Sequence, residues 1–258
     1  MSIDYSKVTN LAIPEGNVTK ITRNLDGVTL FELSKFPQKD TLENMSWEDI
    51  SIVCKAGLAA EYWAVGDQKT ISMDGTSYAV DIIGFDHDVP ANTTAYGRTN
   101  AGITFQLHEI YNTSYQMHTS TLNKFGWHEC YMRTSVMTTL YNKLPVELRN
   151  VIVKVNKNAG YDAVGKRTIK TSSDSLFLLA ETEVLGAEKY AVSGEGSQYT
   201  YYKNGGNTVK NINGTKRVWW LRSLSESDSD GFCSITTVGK SNVYGNTSKL
   251  WVSFAFCV

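Results

Sequence analysis

The sequence predicts an α+β fold in which mainly antiparallel strands are combined with two or more helices. Two Asp-Gly steps, Asp26–Gly27 and Asp74–Gly75, each lie between segments in which apolar and polar residues alternate. That arrangement is typical of β-hairpins. Ser46 and Asp49 mark a capped helix start, which supplies the helical part of the prediction.

The N-terminal residues 1–45 are interpreted as a separate hairpin and linker, and residues 46–258 as the main domain. The hairpin corresponds to the alternating stretch at residues 17–32. Because two strands alone are marginally stable in water, we expect this hairpin to pack on the main domain or on a partner. We therefore predict that this N-terminal region attaches the protein to a partner or mediates oligomerisation.

The main domain begins with a helix that is capped at Ser46 and ends near Gly57. The hairpin at Asp74–Gly75 follows, and its second strand is long, over residues 77–85. Alternating residues predict a further strand over 103–108.

The middle of the chain mixes helical spacing with apolar runs. A helix is predicted over 127–141, and Pro145 starts a second helix that runs to residue 153. The apolar run 175–179 indicates a buried strand, and residues 180–186 a short helical turn. Residues 193–216, rich in Gly, Asn, Tyr and Ser, are predicted to form a long loop.

Three strand signals close the chain, at residues 218–222, 232–235 and 252–257. Turns are expected at Gly239 and Gly245, within the polar stretch between the last two strands.

Composition excludes several classes of function. A net charge of -1 and a pI of about 6.4 leave no electrostatic footprint for nucleic acid. No apolar run approaches the ~20 residues that span a bilayer, so no membrane insertion is expected. The N-terminus shows no signal peptide. The four cysteines form no zinc-type pair, and whether Cys233 and Cys257 form a disulfide is left open.

No catalytic motif stands out, and the chain is predicted not to be an enzyme and to need no cofactor or metal. His87 lies between Asp86 and Asp88, which is a plausible carboxylate-oriented imidazole but is interpreted as part of a polar turn. The competing hypothesis is an enzyme that uses His87 with Cys130 or His128.

The last 36 residues, Ser223–Val258, differ in composition from the rest of the chain. They are rich in Ser, hold one Glu, and lack Pro, His, Met and Gln. Randomising the adenines of an Asn codon gives Ser, Thr, Gly, Asp, Tyr, Phe and several other residues, but never Lys, Glu, Gln, Met or Trp. Most residues of 225–253 belong to that reachable set.

The stretches Ile83–Asp88, Gly126–Arg133, Val218–Ser223 and Phe254–Val258 resemble a domain family of phage and prophage tail proteins from gut bacteria. The C-terminal pattern is similar to that of the variable proteins of diversity-generating retroelements. The resemblance covers residues 47–258. It implies a C-type lectin-like fold and a variable region at about residues 223–258, rewritten by adenine-directed mutagenic reverse transcription.

This sequence departs from the family pattern at Leu224, where the family has Pro. Glu226, Lys240, Lys249 and Trp251 are not reachable from Asn codons, and they weaken the codon argument at those positions.

Within the variable region, apolar anchors are expected to be buried and the residues between them to face solvent and bind ligand. The expected anchors are Trp219, Trp220, Leu221, Ile235, Val252, Phe254 and Phe256. The expected ligand-binding residues are Ser227, Asp228, Ser229, Asp230, Phe232, Ser234, Thr236, Ser241, Tyr244, Gly245, Thr247, Ser248, Leu250 and Trp251.

The resemblance implies a receptor-recognition protein of a phage tail, located in the virion or made in the bacterial cytoplasm from a prophage. Its expected partners are a protein or glycan ligand on a bacterial cell surface and a phage tail component bound through the N-terminal region. The alternatives are a non-variable structural tail subunit and an enzyme of the formylglycine-generating-like fold. The identity of the ligand and homo-oligomer formation are left open.

Overall fold

The computed structural model describes residues 36–258 except 122–124, so the hairpin predicted at residues 17–32 lies outside the described residues. The helices are α1 Trp47–Ala56, α2 Ala59–Tyr62, α3 Thr93–Tyr96, α4 Gly126–Glu129, a π-helical turn Met132–Val136, α5 Met137–Lys143, α6 Val146–Arg149, α7 Glu181–Leu185 and α8 Thr200–Lys203. The strands are β1 Gln68–Met73, β2 Thr76–Phe85, β3 Ile103–Leu107, β4 Val155–Tyr161, β5 Thr168–Asp174, β6 Lys210–Ile212, β7 Thr215–Arg217, β8 Trp219–Leu224, β9 Gly231–Ile235, β10 Ser241–Gly245 and β11 Ala255–Cys257.

The described strands form four antiparallel sheets. A four-stranded sheet has the order β1-β2-β3-β11, and a three-stranded sheet has the order β10-β9-β8. β4 pairs with β5, and β6 pairs with β7. The predicted α+β class with mainly antiparallel strands is therefore confirmed.

The chain divides into two units, Met1–Asp40 and Thr41–Val258. The sequence interpretation drew the boundary five residues later, after residue 45. Within the second unit, the Lys69 ammonium donates to the carbonyl oxygens of Leu42 (3.2 Å), Glu43 (2.9 Å) and Met45 (2.7 Å). These hydrogen bonds bind residues 41–45 to β1.

The capped start of α1 is confirmed. The Asp49 amide donates to Ser46 Oγ at 3.0 Å, and that hydroxyl donates to the Asp49 carboxylate at 2.8 Å. Gly57 ends the helix in the left-handed region at φ 78°. Trp47 and Ile50 lie on the buried face.

The hairpin β1–β2 is also confirmed. Met73 pairs with Thr76, which leaves Asp74 and Gly75 as a two-residue loop. Both have positive φ, 51° and 77°, as a type I′ turn requires.

The predicted helix over 127–141 is wrong in one respect, because it is interrupted at Cys130, which is extended at φ -69°, ψ 155°. The interruption aims two side chains at the same carboxylate. Trp127 Nε1 donates to Asp174 at 3.0 Å from the first helix, and Arg133 Nε donates to it at 2.6 Å from the π-helical turn.

Other element predictions need smaller corrections. In the run 175–179, residues 176–179 are buried but form no ladder, since Phe177 pairs once with Ala255 and the Leu179 carbonyl accepts once from the Arg222 amide. The helix predicted over 145–153 is shortened to α6, and α8 and the β6–β7 hairpin lie within the predicted loop 193–216. Strands β4 and β5 were not predicted.

The core contains five tryptophans, Trp47, Trp63, Trp127, Trp219 and Trp220. All four cysteines are buried and free, so Cys233 and Cys257 are not paired. Over the described ranges, every helix is too short or too polar to cross a lipid bilayer.

Candidate functional site

The C-terminal segment is built on the β10-β9-β8 sheet and on the chain that leads to β11. All seven expected anchors are fully buried, as predicted: Trp219, Trp220, Leu221, Ile235, Val252, Phe254 and Phe256. Trp220 and Ser234 face each other across β8 and β9, and Phe232 faces Tyr244 across β9 and β10.

Four positions expected to face solvent are instead buried, namely Phe232, Ser234, Ser241 and Leu250. Phe232 and Ser234 lie on β9, the central strand, which is covered by a neighbour on each edge and is buried along its whole length. The Ser234 hydroxyl is satisfied by the Asn242 carbonyl at 3.3 Å.

Ser241 and Leu250 are buried through partners that are distant in sequence. Ser241 Oγ donates to the Glu181 carboxylate. Leu250 pairs with Tyr115 in both directions, with N···O distances of 3.1 and 2.8 Å. These four side chains are therefore part of the scaffold.

The other ten expected positions are exposed or half-exposed, and they lie at turns and at a sheet edge. They comprise the β8–β9 turn, the start of the β9–β10 turn, the edge strand β10 and the connection to β11: Ser227, Asp228, Ser229, Asp230, Thr236, Tyr244, Gly245, Thr247, Ser248 and Trp251. We call this set the C-terminal surface. Its role in binding stays a prediction.

Two aromatic side chains give this surface apolar area. Tyr244 meets the buried Trp220 edge to face, with ring centroids 6.5 Å apart. Trp251 lies under the Arg217 guanidinium, 4.6 Å from the ring centroid. Both rings are half-exposed and held by a neighbour, which limits the entropy that binding would cost.

The β8–β9 turn is held by several backbone hydrogen bonds. The Asp230 amide donates to the Asp228 carboxylate at 3.1 Å, and the Asn246 amide donates to the Asp230 carbonyl at 2.8 Å. Arg167 donates to the Asp228 carbonyl at 2.9 Å. The hydrogen bond with the neighbouring Asp228 carboxyl raises the pKa of Asp230.

Beneath the sheet lies a buried charge network that the sequence analysis did not identify. Arg222 of β8 binds both carboxylate oxygens of Glu183. Lys157 donates to Glu183 at 2.7 Å and to Asp88 at 2.6 Å, and the Tyr199 hydroxyl donates to Asp88 at 2.8 Å. The four charged side chains are at most 3% exposed, and each is paired.

Pairing decides the ionisation of these groups. Burial alone would raise the pKa of Asp88, but the Lys157 ammonium holds it well below its usual range. Burial would likewise raise the pKa of Glu183, yet Arg222 and Lys157 lower it. Both carboxylates are therefore charged at neutral pH.

Glu195 adjoins the network, but its carboxylate is hydrogen-bonded by neutral donors rather than paired with a cation. Its carboxylate accepts hydrogen bonds from the Gly160 amide, at 2.7 Å, and from Ser223 Oγ. Arg222 donates to the Glu195 carbonyl at 2.7 Å rather than to the carboxylate. Burial is the largest effect and raises the pKa of Glu195 to about 7.

A cleft of about 430 Å³ opens above the network and is lined in part by His87, Lys157 and Glu195. The His87 ring stacks on Tyr199, with centroids 3.9 Å apart, and burial lowers the pKa of His87. The structure does not join His87 to the other groups of the enzyme hypothesis. Cys130, which contacts Trp127, has its pKa raised to about 12 by burial, and His128 meets Tyr161.

Within residues 36–121 and 125–258, no three His, Cys, Asp or Glu side chains are grouped so as to hold a metal ion. Residues 101–258, more than half of the chain, match a family described as Domain of unknown function (DUF6273). No curated protein and no solved structure matches the chain.

Proposed function

The chain thus belongs to the DUF6273 family, and on that premise we propose that it is a ligand-binding protein with a hypervariable recognition surface. The surface is the C-terminal surface defined above, and the scaffold is a C-type lectin-like fold. In this proposal the protein recognises receptors for a phage tail and is diversified by a retroelement. Its ligand is a protein or glycan on a bacterial cell, and its N-terminal region attaches it to the tail.

The observation that carries this proposal is the division of one segment into two sets of residues. The seven anchors are fully buried, whereas exposed Ser, Asp, Thr and Tyr side chains occupy the turns and the edge between them. Substitution at the exposed positions changes the surface chemistry without creating a cavity in the core. Such a segment tolerates diversification.

The charge network supports the same proposal, since it fixes the strand on which the surface is mounted. Arg222 and Ser223 of β8 bind Glu183 and Glu195, which come from α7 and from the segment before α8. Because β8 is fixed in this way, the turns that follow it keep one backbone geometry while their side chains change. Preorganisation lowers the entropic cost of binding.

The composition of the surface also agrees with recognition. Tyr and Trp provide rigid amphipathic contact area, and Ser, Thr and Asp provide adaptable hydrogen bonds, which is the mixture used by antibody paratopes.

Sequencing the gene across a population of its bacterial hosts tests this proposal. We expect substitutions concentrated at adenines of codons for the C-terminal surface, with unchanged codons for anchors such as Trp220 and Phe254. A second copy of the segment beside a reverse transcriptase gene is expected nearby. Substitutions spread evenly over all codons would contradict diversification.

A further inference from the structure

The edge strand β10 presents backbone groups that have no strand beside them. β10 is the outer strand of the β10-β9-β8 sheet, and no other described strand pairs with its far side. Hydrogen-bonded pairs alternate along an antiparallel ladder. The Thr236 amide donates to the Lys240 carbonyl at one end of the β9–β10 ladder, at 2.8 Å. The Asn246 amide donates to the Asp230 carbonyl at the other end, also at 2.8 Å. The residues of β10 whose N–H groups then point away from β9 are Ser241, Val243 and Gly245.

This edge lacks the features by which proteins usually protect the outer strand of a sheet. Such strands usually carry lysine or proline, are bulged, or are covered by another segment. Residues 241–245 include no charged residue and no proline, and their register with β9 is unbroken. By contrast, residues 41–45 bind to β1, and β5 and β7 carry Lys170 and Lys216. β10 is therefore open to pairing with another extended backbone.

The charges beside the two ends of β10 are opposite in sign. Lys240, directly before the strand, is exposed. Asp230 lies beside the other end, with its Oδ2 3.5 Å from the position that a Cβ on Gly245 would take. The hydrogen bond with the neighbouring Asp228 carboxyl raises the pKa of Asp230, so a nearby cation would stabilise the two acids. An antiparallel copy of the same strand presents a lysine at this acidic end.

We propose that β10 pairs edge to edge with β10 of a second copy of the chain, in an antiparallel dimer centred on Val243. This register uses the outward groups of both strands. The two Val243 residues exchange hydrogen bonds, and the Gly245 amide of each copy donates to the Ser241 carbonyl of the other. The three-stranded sheets of the two copies then join into one continuous sheet with closed two-fold symmetry.

The same register also pairs the charges. Lys240 of one copy comes opposite Asn246 of the other. Asp230 is the β9 partner of Asn246 and lies one strand spacing of about 4.8 Å further on. The lysine side chain is long enough to reach the Asp230 carboxylate, and two-fold symmetry forms this contact at both ends. An unrelated peptide would supply the backbone but not this matched pair of charges, so a second copy is the favoured occupant.

Edge pairing leaves the faces of the sheet open. Tyr244 meets Trp220 on one face, and a strand added at the edge does not cover that face. The dimer therefore carries two C-terminal surfaces side by side, which raises the avidity for a repeated ligand. This inference goes beyond the proposed function and does not depend on it.

Sedimentation velocity of the full chain, over a series of concentrations and without ligand, tests the dimer. We expect dimers whose fraction rises with concentration. Val243→Pro removes the central donor of the edge, which has no partner in the β9–β10 ladder, and is expected to raise the dissociation constant by about tenfold. Hydrogen exchange followed by mass spectrometry is expected to be slower at residues 241–245 at high protein concentration. Thermal melting verifies that each variant folds.

Charge reversal tests the register. Lys240→Glu places an acid beside Asp230 of the other copy and is expected to weaken the dimer by about tenfold. The double variant of Lys240→Glu with Asp230→Lys restores opposite charges and is expected to recover most of the affinity. Lys216→Glu, at an exposed position of the edge strand β7, is the matched control and is expected to leave the dissociation constant unchanged.

A chain that stays monomeric at every concentration would overturn the dimer. So would a dimer whose dissociation constant is the same in Val243→Pro and Lys240→Glu as in the native chain, because its interface then lies elsewhere. A double variant that binds no more tightly than Lys240→Glu alone would contradict the pairing of Lys240 with Asp230 and, with it, this register. These measurements involve no ligand, so their failure leaves the proposed function as it stands.

Discussion

Arg222 and Glu183 form a two-pronged ion pair in the interior, with Nη2 at 2.8 Å from Oε1 and Nη1 bonded to Oε2. The guanidinium is fully buried and the carboxylate 2% exposed. The pair links β8 to α7, and through Lys157 it reaches Asp88.

Removing one partner of this pair is expected to destabilise the protein strongly. Arg222→Met leaves Glu183 buried with one cation fewer, at a cost of about 3–5 kcal/mol. Urea unfolding followed by circular dichroism measures the change. Arg98→Met is the control, because it removes only a partly exposed pair with Asp86 and one hydrogen bond to the Cys54 carbonyl, and is expected to cost less, about 1–2 kcal/mol. Equal losses in the two variants would show that the buried pair has no special role.

The anchors were predictable, whereas the network was not, for a physical reason. Trp219, Trp220 and Leu221 form an apolar run at the start of β8, and local hydrophobicity is enough to predict their burial. Arg222, Glu183 and Lys157 are charged. The free-energy cost of burying them is offset only by ion pairs with partners far away in sequence. Local pattern carries no information on such pairing.

The misassignment of Phe232 has a related cause. Alternation predicts which side faces solvent only when one face of a strand is open, and β9 is buried along its whole length. Leu250 is buried rather than exposed because Tyr115, which pairs with it, comes from a segment distant in sequence. The turn predicted at Gly239 is confirmed, whereas Gly245, also predicted at a turn, is the last residue of β10 and pairs with Gly231.

Phe232→Ala tests this correction. The residue lies on the central strand β9 and its side chain is fully buried, so its loss is expected to cost about 3–5 kcal/mol of unfolding free energy. Ser227→Ala, at an exposed turn position of the same segment, is expected to change it by less than about 0.5 kcal/mol. Thermal and urea unfolding of the two variants give the comparison. A tolerated Phe232→Ala would return this residue to the C-terminal surface.

Glu195 makes the stability of the protein depend on pH. Its pKa is about 7 in the folded protein against 4.5 for an unperturbed Glu, so the folded state binds the extra proton between these values. The stability that the folded protein gains from this protonation of Glu195 is fully present below pH 4.5 and is lost as the pH rises through 7. Glu195→Gln keeps the shape without titrating. We expect its stability relative to the native chain to rise by about 2 kcal/mol from pH 4.5 to 7. A constant difference across that range would show that Glu195 is ionised throughout.

Tyr244 and Trp251 are expected to provide most of the binding energy of the C-terminal surface, because large half-exposed aromatic groups dominate recognition sites. Replacing either by Ala is expected to weaken binding of the fluorescently labelled chain to a panel of gut bacteria by about tenfold, measured by flow cytometry. Val238→Ala, at the tip of the β9–β10 turn and 69% exposed, is the matched control. Unchanged binding in both aromatic variants would remove the C-terminal surface from recognition. If cell binding is unchanged while assembly with a tail component is lost, the structural-subunit hypothesis is favoured, because the same two rings would then be buried in the assembly.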